Sequence, residues 1–365
     1  MNSFPAQAGQ NGRLDAYLVG TCSAMCPPSE VQERLSHRQV HKFERGSSPA
    51  DSSLFVKKHY RIFDEYNNSP EFVRNKEGIA KSMDRLRVVM DLKDESVANR
   101  ANYLWDRYRA IAKDMSVQHW MDEFAVMVYE EIGRFLIWAD EQLRSPMALQ
   151  QGQEQFDAVD RFDPVLHLKF LNNVLLSLVE IYDEFHRRKV EWHNEVEFRL
   201  CHLILRICAG PLEFAKGLKG IRKELMSEVE DVVRLFMAYF EGDWISFFRD
   251  VPQLPWVLRA LAGRLAPEVR ERALLAISKS MGKRTRPYPA SSLMEELCLT
   301  AQGLVAFCKA FSLPMQGDTV MLGVGLQIAS KLLEFQFSDL VPAPSYLLGM
   351  KLTNCAEHKS CCHCR

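Results

Sequence analysis

The chain has 365 residues, of which 47% are hydrophobic and 25% charged, and its formal net charge is -1. That balance excludes a disordered polymer, and it excludes a global pull toward nucleic acid or anionic lipid, so any such binding needs a local patch. The length suits one large helical domain or two smaller ones, and no run approaches the roughly 18 consecutive apolar residues that would span a bilayer.

Residues 1–19 are polar and rich in Ala, Gly, Gln and Asn, and read as a disordered N-terminus without the charged-then-apolar pattern of a secretory signal. Placement in the cytosol or nucleus follows. The ten cysteines are scattered through helical stretches (Cys201, Cys208, Cys298, Cys308). This spacing fits buried thiols in a reducing compartment and no structural disulfides.

Residues 20–61 form an opening segment. It begins GTCSAMCPPSE, continues into a short, highly charged helix over Ser29 to Glu44, and breaks at the loop GSSPADSS, Gly46 to Ser53. A structural zinc site needs four ligands, and no second knuckle follows Cys22 and Cys26, although His37 and His41 one helical turn apart could complete one. The two cysteines read better as small apolar thiols that pack an extended strand of chain onto helices. No metal and no cofactor is assigned.

Residues 79–264 carry helical periodicity almost throughout. Apolar side chains fall three and four apart, as in Leu171, Val174, Leu175, Leu178, Tyr182 and Phe185. Helices are expected over Asn102 to Asp140, Pro164 to Arg188, Glu195 to Cys208 and Leu218 to Phe240. Breaks are expected at Gln150 to Gln155, at AGP (Ala209 to Pro211) and at EGDW (Glu241 to Trp244). No fixed-period repeat is visible, so the stack is irregular. Asp106, Arg107, Arg109 and Asp114 share a charged helix face, where intrahelical pairing is the default and fixing neighbouring helices or accepting a partner the alternatives. Trp244, Phe247 and Phe248 read as core. The acidic pairs Glu130-Glu131 and Glu295-Glu296 read as solvated faces, and no nucleophile elbow, phosphate loop or metalloprotease motif occurs, so an enzyme is not expected.

Residues 265–325 change character: a helix, the stretch GKRTRPYP as a short edge strand, two helices, and a hairpin turning at Gly317-Asp318. That is the order of a winged-helix module. The fold class is therefore mainly α, an irregular helical-repeat stack ending in a winged helix, with residues 342–365 a Cys-rich tail that has no loop between ligand pairs for a zinc knuckle. Lys279, Lys283, Arg284 and Arg286, followed by Tyr288, form the best nucleic-acid candidate, since clustered cations release counterions from phosphate and an aromatic can stack on a base. Cations complementing a helix C-terminus are an equal alternative. The helix AQGLVAFCKAF offers only Lys309, which leaves it unable to read base edges in the usual way and better suited to packing on a second subunit.

The opening segment resembles the signature of the suppressor-of-actin/germinal-centre-associated nuclear protein family, a glycine, a Cys-x-x-Met-Cys-Pro core, then Glu, Arg and a closing Phe-Glu. Gly20, Cys22, Met25, Cys26, Pro27, Glu30, Arg34, Phe43 and Glu44 fall in place. Five further stretches match in order: Phe55 to Arg61; Asp106 to Gln118, with Asp106, Arg107, Arg109, Asp114 and Gln118; Glu131 to Phe135, with Glu131, Arg134 and Phe135; Asn194 to Arg199, with Glu197 and Phe198; and Ala238 to Phe248. The chain departs from the pattern after Arg61, at IFDEYNNSPEF, and at Leu86 to Leu92.

The resemblance implies a helical-repeat and winged-helix fold of the PCI type, and the short members in particular. It implies a non-enzymatic scaffold of a nuclear-pore-associated transcription and messenger-RNA-export complex. Its partners would be a second PCI-type subunit, a small acidic subunit, nuclear-pore components and RNA, in the nucleus and also the cytoplasm, without membrane insertion. The alternative it implies is a centrosome- or spindle-associated adaptor acting in mitosis without nucleic acid.

Overall fold

The computed structural model describes residues 18–48, 51–60, 69–144 and 163–323. The expectations for residues 1–17, for Arg61 and the first seven residues of the departure after it (62–68), for Gln150 to Gln155 and for the tail at 342–365 lie outside the described residues. Among those described are thirteen α-helices, three 3-10 turns and one small sheet, so the protein is mainly helical. They divide after Ile132 into two compact units.

The first unit holds α1 (Pro28–Ser36), a 3-10 turn (Lys42–Glu44), α2 (Lys76–Met90), α3 (Val97–Val117) and the start of α4 (Glu123–Leu143). Asn75 caps α2 by accepting from the Gly78 N–H, and Ser96 caps α3 by accepting from the Asn99 N–H. The two helices pack on each other and bury Ile79, Met83 and Leu86 from one, Leu104, Ile111 and Met115 from the other. Two expected helices are each broken. The single helix over Ser29 to Glu44 ends at Ser36, where Arg38 turns the chain in a left-handed conformation (φ 55°) and lets Glu44 fold back beside Arg34. The long helix over Asn102 to Asp140 breaks at residues 118–122, where His119 is also left-handed (φ 52°) and Asp122 accepts from the Ala125 N–H at 3.0 Å to restart it.

The second unit is built around α6 (Glu195–Cys208), whose Phe198, Leu200, Cys201, Leu203, Ile204, Leu205 and Ile207 are all buried. Burial on every side follows from its neighbours: α5 (Pro164–Arg187), α7 (Pro211–Lys219), α8 (Met226–Glu241) and α10 (Trp256–Ala262) all pack against it. One segment, α5, is long and apolar enough by composition to cross a membrane. Its stripe Leu171, Val174, Leu175, Leu178 and Tyr182 is instead buried in the unit, and Lys169, Glu180 and Asp183 interrupt its sequence. Pro211 does more than stop a helix: it opens α7 at the first position, where no N–H is needed. The helix expected over Leu218 to Phe240 is accordingly two, α7 and α8, separated by the turn Lys223–Leu225. At EGDW, Gly242 ends α8 in a left-handed conformation (φ 75°) and Asp243 caps α9 (Trp244–Asp250), burying Phe247 and Phe248.

The chain then runs through α11 (Ala266–Ser280), β1 (Arg286–Pro289), α12 (Ala290–Glu296), α13 (Ala301–Ala310), β2 (Met315–Gln316) and β3 (Thr319–Leu322). The strands form an antiparallel sheet in the order β1-β3-β2, with Gly317 (φ 59°) at the hairpin turn. Pro287 and Pro289 sit in β1, the edge strand, where missing N–H donors discourage pairing with another chain.

Candidate functional site

Most of the family-like residues converge in the first unit on a lattice of buried charge. Glu30, Arg34, Glu44, Lys57, Arg74, Arg107 and Asp114 are each at most 4% exposed. Arg34 pairs with Glu44 and with Glu30 (3.5 Å), and also donates to the Val56 carbonyl at 3.2 Å. Glu44 in turn accepts from Arg107 (3.0 Å), from the Tyr103 hydroxyl (3.1 Å) and from the Val56 N–H (3.1 Å). Asp114 receives Lys57 on one oxygen and Arg74 on the other, both at 2.7 Å. Arg74 continues to Ser82 Oγ (3.0 Å) and Lys57 to the Phe72 carbonyl (2.7 Å). Four cations thus face three carboxylates, and the half-exposed Asp106, paired with Arg107, supplies the fourth.

Electrostatics divides the two glutamates. Burial raises the Glu30 carboxyl, and its partners do not cancel that. Burial also acts against Glu44, but Arg107 and Arg34 together outweigh it and hold that carboxylate below its ordinary range. Burial lowers Lys57, against the pull of Asp114.

The opening residues are clamped to this lattice through the backbone. Cys22 and Val73 share an N–H to O=C bond of 3.2 Å, the Lys57 N–H donates to the Met25 carbonyl at 3.0 Å, and Gln118 accepts from the Gly20 N–H at 2.8 Å while donating to the Arg74 and Asp114 carbonyls. Gly20 is glycine because a Cβ there would lie 2.4 Å from the Val73 carbonyl oxygen. Cys22 and Cys26 are buried thiols, both raised by burial. Among the described residues no group of three or more His, Cys, Asp or Glu is arranged to hold a metal ion.

For Arg107 and Asp114 the structure sets aside the default of intrahelical pairing in favour of the alternative, the fixing of neighbouring segments. Arg107 keeps Asp106 but turns mainly to Glu44, Asp114 takes Lys57 and Arg74, and Arg109 stacks on the Trp105 ring at 4.4 Å. The acidic pairs are likewise not simple solvated faces. Glu131 is gripped by Arg87 at 2.5 Å, Glu130 is buried, and Glu296 accepts from the Tyr288 hydroxyl at 2.6 Å. In the second unit Arg134 pairs with Glu197 (2.9 Å) and lies 4.9 Å over the Phe198 ring, close to the buried Phe135. Sequence inspection did not single out Lys57, Arg74 or Tyr103 as members of the lattice, nor the second unit's Asp140, which pairs with Arg144 and Arg264.

The basic residues have the opposite character. Lys279, Lys283, Arg284 and Arg286 are all exposed at the end of α11 and in the connection to β1. None of their side chains makes a hydrogen bond or ion pair with another described residue. Tyr288 is half-buried, and its hydroxyl is occupied by Glu296. Lys309 is exposed on α13, on a face with Ala301, Gln302, Val305 and Ala306, while Leu304, Phe307 and Cys308 point inward.

Among the described residues, the chain thus offers an opening segment locked by buried charge and a strip of exposed cations that no described side chain pairs. The SAC3/GANP family model matches residues 25–317, and the chain belongs to that family, which is a family of scaffolds. It is 25% identical over 284 residues to SAC3 family protein B of Arabidopsis thaliana, covering 74% of this chain and 16% of that protein. It is 24% identical over 332 residues to SAC3 family protein 1 of Schizosaccharomyces pombe (85% and 31%). Protein xmas of Drosophila melanogaster is 23% identical over 252 residues (65% and 11%). The chain thus spans less than a third of the length of each of these relatives.

Proposed function

We propose that the chain is a non-enzymatic scaffold subunit of a nuclear transcription and messenger-RNA-export assembly, and that the α11–β1 strip is its RNA contact. The observation that carries this reading is four exposed cations within eight residues and, among the described residues, no carboxylate taking any of them up. Cations left unpaired by the fold are available to phosphate, and each phosphate neutralised releases counterions. The last six elements follow winged-helix order, and the exposed face of α13, small and apolar with one lysine, suits packing against a second PCI-type subunit better than reading bases. A small acidic subunit and nuclear-pore components complete the assembly that the family resemblance implies.

Reversing the strip tests the RNA contact. Lys283→Glu/Arg284→Glu/Arg286→Glu is expected to reduce affinity for single-stranded RNA by on the order of 100-fold near 0.1 M salt and to flatten the salt dependence. These side chains are exposed and unpaired, so thermal stability should stay within about 0.5 kcal/mol of the parent. Unchanged affinity in fluorescence anisotropy would remove the strip from the reading. Affinity capture from cells with and without ribonuclease tests the assembly: a second PCI subunit and pore components support it, and tubulin-associated proteins in their place would favour the spindle adaptor.

A further inference from the structure

Within the cationic strip stands one hydroxyl that no contact uses. Thr285 is exposed and lies just before β1, with Lys283 and Arg284 in a bend on its N-terminal side and Arg286 and Pro287 after it. It takes part in no hydrogen bond with another described residue. The backbone beneath it is held in place: Gly323, at the end of β3, lies so close that a Cβ there would come 2.9 Å from the Thr285 Cα and 3.0 Å from the Arg284 carbonyl oxygen. The chain therefore presents, between a bend and an edge strand, an exposed side-chain hydroxyl flanked by basic residues and free of hydrogen bonds to other described residues. Basic residues immediately N-terminal to an exposed acceptor suit the acidic substrate cleft of a basophilic kinase, by charge complementarity. The neighbouring Ser280 differs, since its hydroxyl already donates to the Ile277 carbonyl at 2.7 Å.

We propose that Thr285 is a phosphoacceptor for a basophilic serine/threonine kinase and that its phosphate switches off the strip around it, the second half resting on the RNA reading above. In the transfer, Thr285 Oγ1 takes the γ-phosphoryl group of ATP and the bond to the bridging oxygen breaks. ADP leaves, and the hydroxyl proton passes to the kinase's base. The product carries a charge of about -1.5 to -2 amid four cations and offers three strong acceptor oxygens. Lys283, Arg284 and Arg286 can turn to those oxygens, which removes both charge and free donors from any RNA phosphate.

The test uses the full chain, ATP and the catalytic subunit of a cyclic-nucleotide-dependent kinase as the basophilic probe, with phosphopeptide mapping and anisotropy on a short oligouridylate. Thr285 is expected to be the principal site. Phosphorylation should weaken RNA binding at least tenfold near 0.1 M salt and make the slope of log K against log salt shallower by roughly 1 to 1.5. Thr285→Ala should block both effects, and Thr285→Glu should reproduce part of the loss. Phosphate that appears only on Ser280 or only on denatured chain overturns the proposal, and phosphate on Thr285 with RNA affinity unchanged overturns the switch. If the unmodified chain does not bind the oligouridylate while Thr285 is phosphorylated, the RNA reading fails and the switch with it, but the acceptor site stands. If RNA binds and Thr285 stays unmodified, the acceptor site fails alone.

Discussion

Glu44→Ala is expected to destabilise the first unit by about 3–5 kcal/mol, the usual result of removing one member of a buried ion pair. The carboxylate is fully buried and meets Arg34, Arg107, Tyr103 and the Val56 N–H together. Its loss leaves two buried guanidinium groups with one carboxylate each, Glu30 beside Arg34 and the half-exposed Asp106 beside Arg107. Glu44→Gln keeps the shape and some of the hydrogen bonds, so a smaller loss is expected. Arg107→Ala combined with Glu44→Ala should cost less than the two single changes added together, because both single changes remove the same buried pair. Urea denaturation followed by amide exchange in α3 reads the first unit separately from the second. A loss below about 1 kcal/mol for Glu44→Ala would show that Arg34 and Arg107 find other partners, and the lattice would then not be what fixes the opening segment.

The lattice also shows what could and could not be read along the chain. The α5 stripe was legible because one helix face and its 3.6-residue period suffice to identify it, and the helix-strand-helix-helix-hairpin order after residue 265 was legible from Gly317-Asp318 and the proline-containing strand. The winged-helix character proposed above rests on that order. The break at 118–122 was not legible: no Gly or Pro marks it, and Gln118 stops the helix in order to hold Gly20 and the Arg74 carbonyl. The roles of Glu44 and Arg107 were invisible for a related reason. They are 63 residues apart, and a local rule applied to Asp106-Arg107 finds the nearer, weaker half of the arrangement. The matched signature residues told where the family pattern lies, while their tertiary pairing tells why: the signature of the opening segment is largely a device that buries charge to seat that segment on α2 and α3. The cationic strip was legible because exposed, unpaired residues keep in the fold the neighbours they have in sequence.

Acid should destabilise the second unit through His202, and the sign follows from its surroundings. This side chain lies on α6, 9% exposed, with Nε2 unpaired; burial, then the nearby Arg206 and Arg199, lower its pKa from 6.5 to about 4. A depressed folded-state pKa means that the unfolded chain takes up the proton first, so the stabilisation is complete above pH 6.5 and is lost as the pH falls toward 4. Each pH unit inside that window costs about 1.4 kcal/mol, which makes the loss between pH 7 and pH 5 about 2 kcal/mol. Other groups titrate too: Asp140, lowered to about 2 against burial by Arg144 and Arg264, adds acid lability only below about pH 4, and Glu141, raised by burial, acts in the opposite sense. His202→Gln isolates the histidine, because it leaves those carboxyl groups in place. The difference in unfolding free energy between parent and variant should shift in the variant's favour by about 2 kcal/mol from pH 7 to pH 5, measured by urea denaturation with amide exchange in α6 as the readout. Parallel pH profiles for the two proteins would mean that the imidazole is charged in the fold or open to water, and the packing of α6 as a fully enclosed central helix would need revision.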